Sequence, residues 1–322
     1  MVASHPLARE CCSAPLIFLV GPTAIGKTEL ALHLAEEFGC EIIGVDSMQV
    51  YRYMDIGTAK PSLAERGRVP HHLIDYVLPD EEFSALRFVA DCREAIREIR
   101  ARDRLPLLVG GTGLYFSALE HGLFSLPEIE PQVRQGLQQE LVNGGRETLR
   151  QELEVSDPES ASRIHLNDTY RLLRALEIVR ATGRPWSALI AEHQRAREEA
   201  VRPTVVKIGL ARSREELYAR IEQRVEAMVE AGLLVEVETL LARGYHGDLR
   251  PMQSLGYRHM LNYLEGEWSW ERALELLARD TRRYAKRQLT WFNPDPEIRW
   301  CHPGEHTLIR AAIASSLTRA QG

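Results

Sequence analysis

An apolar run, Leu16 to Val20, is followed at once by GPTAIGKT (Gly21 to Thr28) and then by Leu30, Ala31, Leu34, Ala35 and Phe38 at helical spacing. Strand, glycine-rich loop and helix in immediate succession are what the pattern G-x-x-x-x-G-K-[ST] requires. Its glycines let successive backbone N–H groups turn toward an anion at a helix start, where the positive end of the helix dipole adds to the attraction. Gly21, Pro22, Thr23, Ala24, Ile25 and Gly26 form the expected cradle. Lys27 should reach the terminal phosphate, and the Thr28 hydroxyl should hold Mg²⁺. The loop identifies a diphosphate or polyphosphate, not a reaction. A small-molecule or nucleoside kinase is therefore one function class to carry forward.

The alternation of strand and helix continues. Glu41 to Val45 reads as a strand ending at Asp46, and Ala85 to about Arg102 as a helix through Phe88, Val89, Cys92, Ala95, Ile96 and Ile99. Leu105 to Val109 is a further strand that runs into GGTG. This pattern predicts an α/β fold, a parallel sheet flanked by helices. Ligands of such sheets bind beyond the carboxyl ends of the strands, so GPTAIGKT, DSMQVY and GGTGLY should line one crevice. From about 121 to 200 the pattern turns helical, as in Val133 to Leu141 and Asp168 to Thr182. Strand character returns at Thr204 to Leu210, with helices from Arg214 to Arg243 and from Trp270 to Trp291. The expected organisation is a discontinuous P-loop NTPase-like core, 15–120 and 201–320, with a helical insertion domain at 121–200.

A chain of 322 residues has ample length for this arrangement. The first fourteen residues contain neither a basic start nor a long apolar stretch, which predicts a cytoplasmic protein with no membrane segment. Five cysteines, Cys11, Cys12, Cys40, Cys92 and Cys301, form no CxxC pair and read as core or incidental thiols. Cys301, His302 and His306 lack a second cysteine at ligand spacing, so no metal site is expected there. Asp46 suits a magnesium-binding acid, a general base or a capping residue, and its position does not separate them. Thr112 suits a hydroxyl donor or a turn former equally.

Seven strings occur in order: GPTAIGKT, DSMQVYRYMDIGTAKP (46–61), HHLID (71–75), GGTGLY (110–115), RIHLNDTYRLLRALEI (163–178), LGYRHM (255–260) and AKRQLTWF (285–292). Together they resemble the tRNA dimethylallyltransferase family, also called tRNA isopentenyltransferases, in its bacterial form, over roughly residues 15 to 300. The resemblance implies transfer of a dimethylallyl group from dimethylallyl diphosphate to N6 of the adenine immediately 3′ of the anticodon (tRNA position 37), with release of diphosphate. It implies Asp46 as the base that accepts the N6 proton, Thr23 beside the reacting centre, and Arg224 as a clamp on the diphosphate. Without the resemblance, Arg224 reads as a solvated arginine among Glu222, Glu226 and Glu230. The tRNA anticodon stem-loop is the implied partner. Its implied contacts are Asp46, Ser47, Met48, Gln49, Thr112, Arg134, Tyr170, Arg171, Leu172, Leu173, Arg174, Leu255, Gly256, Tyr257 and Arg258.

A net charge of −6 does not advertise an RNA-binding protein. Two windows are locally basic. One holds Arg163, Arg171, Arg174, Arg180 and Arg184. The other repeats Arg279, Arg283 and Arg287 on one helix face, beside Arg282 and Lys286. Either is a phosphate track or a solvated charged face. Tyr257, Trp291 and Phe292 are candidates for stacking on bases or for the core. The sequence departs from the family pattern at Met48, at His259, where an amide is usual, and at Asn293-Pro294, where arginines are frequent. A non-catalytic RNA-binding adaptor is a third function class. A monomer is the simplest assembly to expect.

Overall fold

The computed structural model describes residues 15–123, 129–199 and 203–321. Cys11, Cys12 and the expected absence of a leader segment lie outside the described residues. Strands β1 (Leu16–Val20), β2 (Cys40–Val45), β3 (His71–His72), β4 (Leu105–Gly110), β5 (Val205–Leu210) and β6 (Arg299–Cys301) form a six-stranded sheet of order β3-β2-β4-β1-β5-β6. Every pairing in it is parallel. β1 and β2 are buried along their whole length, as near-continuous apolar runs covered on both faces should be. The register sets up the site. Gly110 pairs with Val20 on one side and Val45 on the other, so the chain leaves β1, β2 and β4 at one level.

Helices α1 (Lys27–Phe38) and α3 (Ala85–Ala101) follow the predicted spacing, and a short α2 (Leu63–Arg68) that the sequence reading did not foresee lies between them. Gly39 ends α1 at φ 67°, donating its N–H to Ala35 O. α4 (Gly113–His121) follows β4. Leu30 and Leu34 of α1 pack with Ile17, Leu19 and Ile208 of the sheet in one apolar cluster. Lys207 is the exception inside β5. It is buried, and its ammonium meets Glu120, Asp295 and Glu297 at 2.7, 2.8 and 2.8 Å, which keeps a buried charge paired.

The backbone divides into two compact units, one of His121–Val201 and one of Pro6–Glu120 with Arg202–Gly322. The first contains α5 (Pro131–Ser156), interrupted by a non-helical Gly145, then α6 (Pro158–Arg163), α7 (Thr169–Thr182) and α8 (Trp186–Glu199). Leu137, Leu149, Leu153, Leu172 and Leu176 form its own core. Asp157 is fully buried there and accepts from Ser160 N, Ser187 N and Ser187 Oγ.

In the second unit the expected run from Arg214 to Arg243 is two helices, α9 (Arg214–Glu230) and α10 (Leu233–Ala242), broken where Gly232 takes φ 95°. α11 (Tyr257–Leu264), α12 (Trp270–Phe292) and α13 (His306–Gln321) complete it. Among the described residues no helix is long and apolar enough to cross a membrane.

Candidate active site

The phosphate loop is held from outside by its carbonyls. Arg212 Nε donates to Ile25 O at 3.2 Å and Arg220 Nε to Ala24 O at 2.8 Å. Gly26 sits at φ 106° at the N-cap of α1 and no side chain caps that helix, so its first N–H groups remain for an anion. Lys27 Nζ donates to Gly21 O and Pro22 O, both at 2.8 Å. Burial, and then the neighbouring Arg224 cation, bring the Lys27 ammonium down to about 7, against the opposing pull of Asp46. Burial also lowers Arg224, with Asp46 pulling it up and Arg220 pushing it down. Cations crowded into a desolvated space favour a multiply charged anion.

That space is a cavity of about 810 Å³ within the sheet-containing unit. Thr23, Thr28, Asp46 and Arg224 all line it, together with the rim arginines Arg250 and Arg287. Asp46 Oδ1 accepts from Met48 N at 2.8 Å and Gln49 N at 3.2 Å, which is the capping role foreseen for it. No hydrogen bond among the described residues engages Oδ2. One carboxylate can therefore cap its loop with one oxygen and serve as a base with the other. Thr112 accepts from Ser47 N at 3.2 Å and donates its own N–H to Val45 O at 3.3 Å, so it ties the loops after β2 and β4 together. Gln49 Nε2 donates to Thr58 O and Ala59 O, both at 3.1 Å, which fixes the orientation of its amide.

The wall formed by residues 55 to 59 rests on one carboxylate. Glu236 of α10 accepts from the backbone N–H of Asp55, Ile56 and Gly57 at 2.9, 2.8 and 3.0 Å, and from Tyr257 Oη at 2.6 Å. Gly57 is needed here because a Cβ would lie 2.4 Å from the Tyr257 ring. Tyr257 is fully buried, so its ring does not face a ligand. Of the two readings open for it, base stacking or core, its burial fits the core: its hydroxyl and ring brace the turn at 55 to 59. Leu255 and Arg258 of the LGYRHM string line the cavity, and Gly256 at φ 89° opens α11 between them. His259 is fully buried beside Trp268, so this departure from the family pattern falls in the core. Phe292 is also buried, against Phe116, whereas Trp291 is half exposed.

In the helical unit Arg134, Tyr170 and Arg171 are exposed, Leu173 and Arg174 are half-buried, and Leu172 belongs to the core. Every arginine that made this window basic has an acid. Arg163 meets Glu159, Arg171 meets Asp168, Arg174 meets Glu177, Arg184 meets Glu192, and Arg180 meets both Glu140 and Glu152. Asp168 and Glu177 lie within the window and Glu140, Glu152, Glu159 and Glu192 come from outside it, so the pairing fits the solvated-charged-face alternative for this window. The second row divides. Arg279 and Arg283 share Asp280, and Arg282 meets Glu222, but Arg287 lies over the Tyr284 ring and faces the cavity. Cys40, Cys92 and Cys301 are buried free thiols, and no cluster of metal-ligating side chains occurs among the described residues.

Four site residues escaped the sequence reading. Arg220 and Glu236 act through backbone groups far away in the chain, and nothing local marks them. Tyr284 and Gln288 stand one helical turn apart in α12 and both line the cavity. Polar side chains on the buried face of an amphipathic helix were the available signal, masked by the arginines around them.

A family profile for IPP transferases matches residues 49–295, and one for isopentenyl transferases matches residues 14–76. A tRNA dimethylallyltransferase of Desulfotalea psychrophila is 52% identical over 90% of this chain and 92% of its own. The chain belongs to the tRNA dimethylallyltransferase family. Solved structures agree. A tRNA isopentenylpyrophosphate transferase from Bacillus halodurans is 40% identical, with TM-score 0.70 over 96% of this chain and 98% of its own. A eukaryotic dimethylallyltransferase acting on tRNA is 28% identical, with TM-score 0.76 over 93% of this chain and 76% of its own. Membership in this family makes the chain a prenyltransferase enzyme and sets the kinase and adaptor alternatives aside. The phosphate loop therefore belongs to a transferase in which the carbon group moves.

Proposed function

We propose that the cavity binds dimethylallyl diphosphate and the adenosine 3′-adjacent to the anticodon of a tRNA, and joins the dimethylallyl group to N6 with loss of diphosphate. The observation that carries this reading is the placement of Lys27 and Arg224 with the Asp46 carboxylate on one cavity, Arg224 and Asp46 both acting on the Lys27 ammonium and Asp46 on the Arg224 guanidinium. The N6 lone pair attacks the allylic C1 while the C1–O bond breaks and its electron pair leaves on the diphosphate. Lys27, Arg224 and the N–H groups at the start of α1 stabilise that growing negative charge. The N6 proton passes to Asp46 Oδ2, the oxygen its own loop does not use. Thr23 stands at the same face of the loop, with Ser47, Met48 and Gln49 on the side of the adenine.

The Thr28 hydroxyl on the cavity wall fits Mg²⁺, an ion that keeps several waters and binds through one or two protein oxygens plus substrate phosphates. Bound there, it supplies further neutralisation of the leaving diphosphate. An exocyclic amine can reach this depth only if the base leaves its stack. In the helical unit Arg134 and the exposed part of Tyr170 to Arg174 are the proposed RNA contacts, and the working form is a cytoplasmic monomer.

The test is direct. The purified chain, given dimethylallyl diphosphate, Mg²⁺ and an unmodified anticodon stem-loop with an A-A-A run at and after the last anticodon base, should yield N6-dimethylallyladenosine by mass spectrometry. No product across a set of such stem-loops would overturn the reading.

A further inference from the structure

Gln288 is buried, 5% exposed, and comes from α12, far along the chain from either loop it touches. Its Oε1 accepts the Thr23 N–H at 2.8 Å, and its Nε2 donates to Gly111 O at 3.0 Å. Thr23 lies in the phosphate loop after β1 and Gly111 in the loop after β4, so one amide hydrogen-bonds to both loops where their backbones run close together. Residue 111 is built to admit it, because a Cβ there would stand 2.1 Å from Nε2. The Gly111 loop continues into Thr112, which holds Ser47 N beside Asp46. A continuous set of hydrogen bonds thus links the phosphate loop, Gln288, the glycine loop and the segment that carries the base.

We infer that Gln288 is a positioning residue for the transfer reaction, holding the loop that grips the leaving diphosphate in register with the loop that sets Asp46. This inference rests on the prenyl-transfer reading above. Gln288 spends its amide on backbone groups of both loops, so it is suited to fix their separation and not to add affinity for either substrate. Reacting groups must be held near 3 Å apart in the right direction, and a displacement of about 1 Å can cost 10²-fold in rate. Losing the clasp should therefore lower kcat and leave both KM values nearly in place.

Gln288→Met keeps the length and approximate volume of the side chain and removes both hydrogen bonds. Steady-state kinetics should show kcat reduced by roughly 10- to 100-fold, with KM for dimethylallyl diphosphate and for the stem-loop each within about threefold of the parent. The inhibition constant of inorganic pyrophosphate should be equally unmoved. Gly111→Ala, whose methyl group displaces the amide, should reproduce the kcat loss. Combined with Gln288→Met it should add little further, since both changes break one link. A parent-like kcat in Gln288→Met overturns the inference, as does a loss in which both KM values and the pyrophosphate constant rise together, or full additivity in the double variant. Failure of the parent to form product strikes the functional reading instead, so the two outcomes are distinguishable.

Discussion

Lys27 shows how much chemistry one side chain can reveal. The motif placed it on a terminal phosphate, and the fold places its ammonium in a desolvated space beside Arg224, which brings it down to about 7. An anion in the cradle must restore its preference for the charged form. The sign follows from linkage. Below pH 7 the free protein already holds the proton, and above pH 7 it must take one up on binding. Affinity for inorganic pyrophosphate should therefore weaken with rising pH above 7, by up to about tenfold per unit from this group. Titration of the ligand itself is removed by comparison with Lys27→Arg, whose guanidinium stays charged. Isothermal titration between pH 6 and 9 should show a steeper decline for the parent than for Lys27→Arg, and parallel curves would refute the assignment. Asp46 shows the limit of such reading. Its alternatives, magnesium-binding acid, general base or cap, could not be separated on sequence because they differ in what each carboxylate oxygen meets. In the structure Oδ1 takes the capping bonds, and no hydrogen bond among the described residues engages Oδ2.

At the scale of elements, long periodic segments were legible and short ones were not. β1, β4, α1, α3 and α12 appear within a residue or so of the apolar runs that announced them. β3 and β6, with two and three residues, offer no periodicity, and they exist because a neighbouring strand supplies partners for their backbone groups. The turn at 55 to 59 was visible only as part of a string. Its cause is a carboxylate on α10 and a tyrosine on α11, two elements brought to it by tertiary packing. That gives Gly57 a sharp test. Gly57→Ala forces a methyl group against a Tyr257 ring that is buried and tied to Glu236, so neither partner can yield easily. Overpacking of this kind costs about 1–3 kcal/mol, which for a protein of this size lowers Tm by roughly 1–5 °C. Because Thr58 O and Ala59 O orient Gln49, KM for the stem-loop should also rise more than KM for the diphosphate. Differential scanning calorimetry with paired KM measurements checks this, and a parent-like Tm and stem-loop KM would show that the turn accommodates the methyl group.

At the scale of the whole molecule, the question is how a chain of net charge −6 handles a polyanion. Counting arginines in a window gave the helical insertion a basic face. Folding changes that count, because Glu140, Glu152 and Glu192 come from other helices to meet Arg180 and Arg184. A one-dimensional window records only neighbours in sequence, and neutralisation depends on neighbours in space. At the candidate site Arg250 and Arg287 are exposed, line the cavity and form no ion pair among the described residues; Arg287 belonged to the second basic row, whereas Arg250 stood as an isolated letter. Each phosphate neutralised by such a group releases a counterion, so affinity should fall with salt on a log–log plot with a slope set by the number of contacts. Arg250→Ala and Arg287→Ala should each lessen that slope by about one, whereas Arg163→Ala and Arg180→Ala should change it by less than about half as much, because those two arginines are already matched by glutamates. Fluorescence anisotropy with a labelled stem-loop between about 50 and 300 mM salt measures the slopes. The reverse ranking would mean that the glutamate pairs open on binding and that the insertion, not the cavity rim, carries the electrostatic share of recognition.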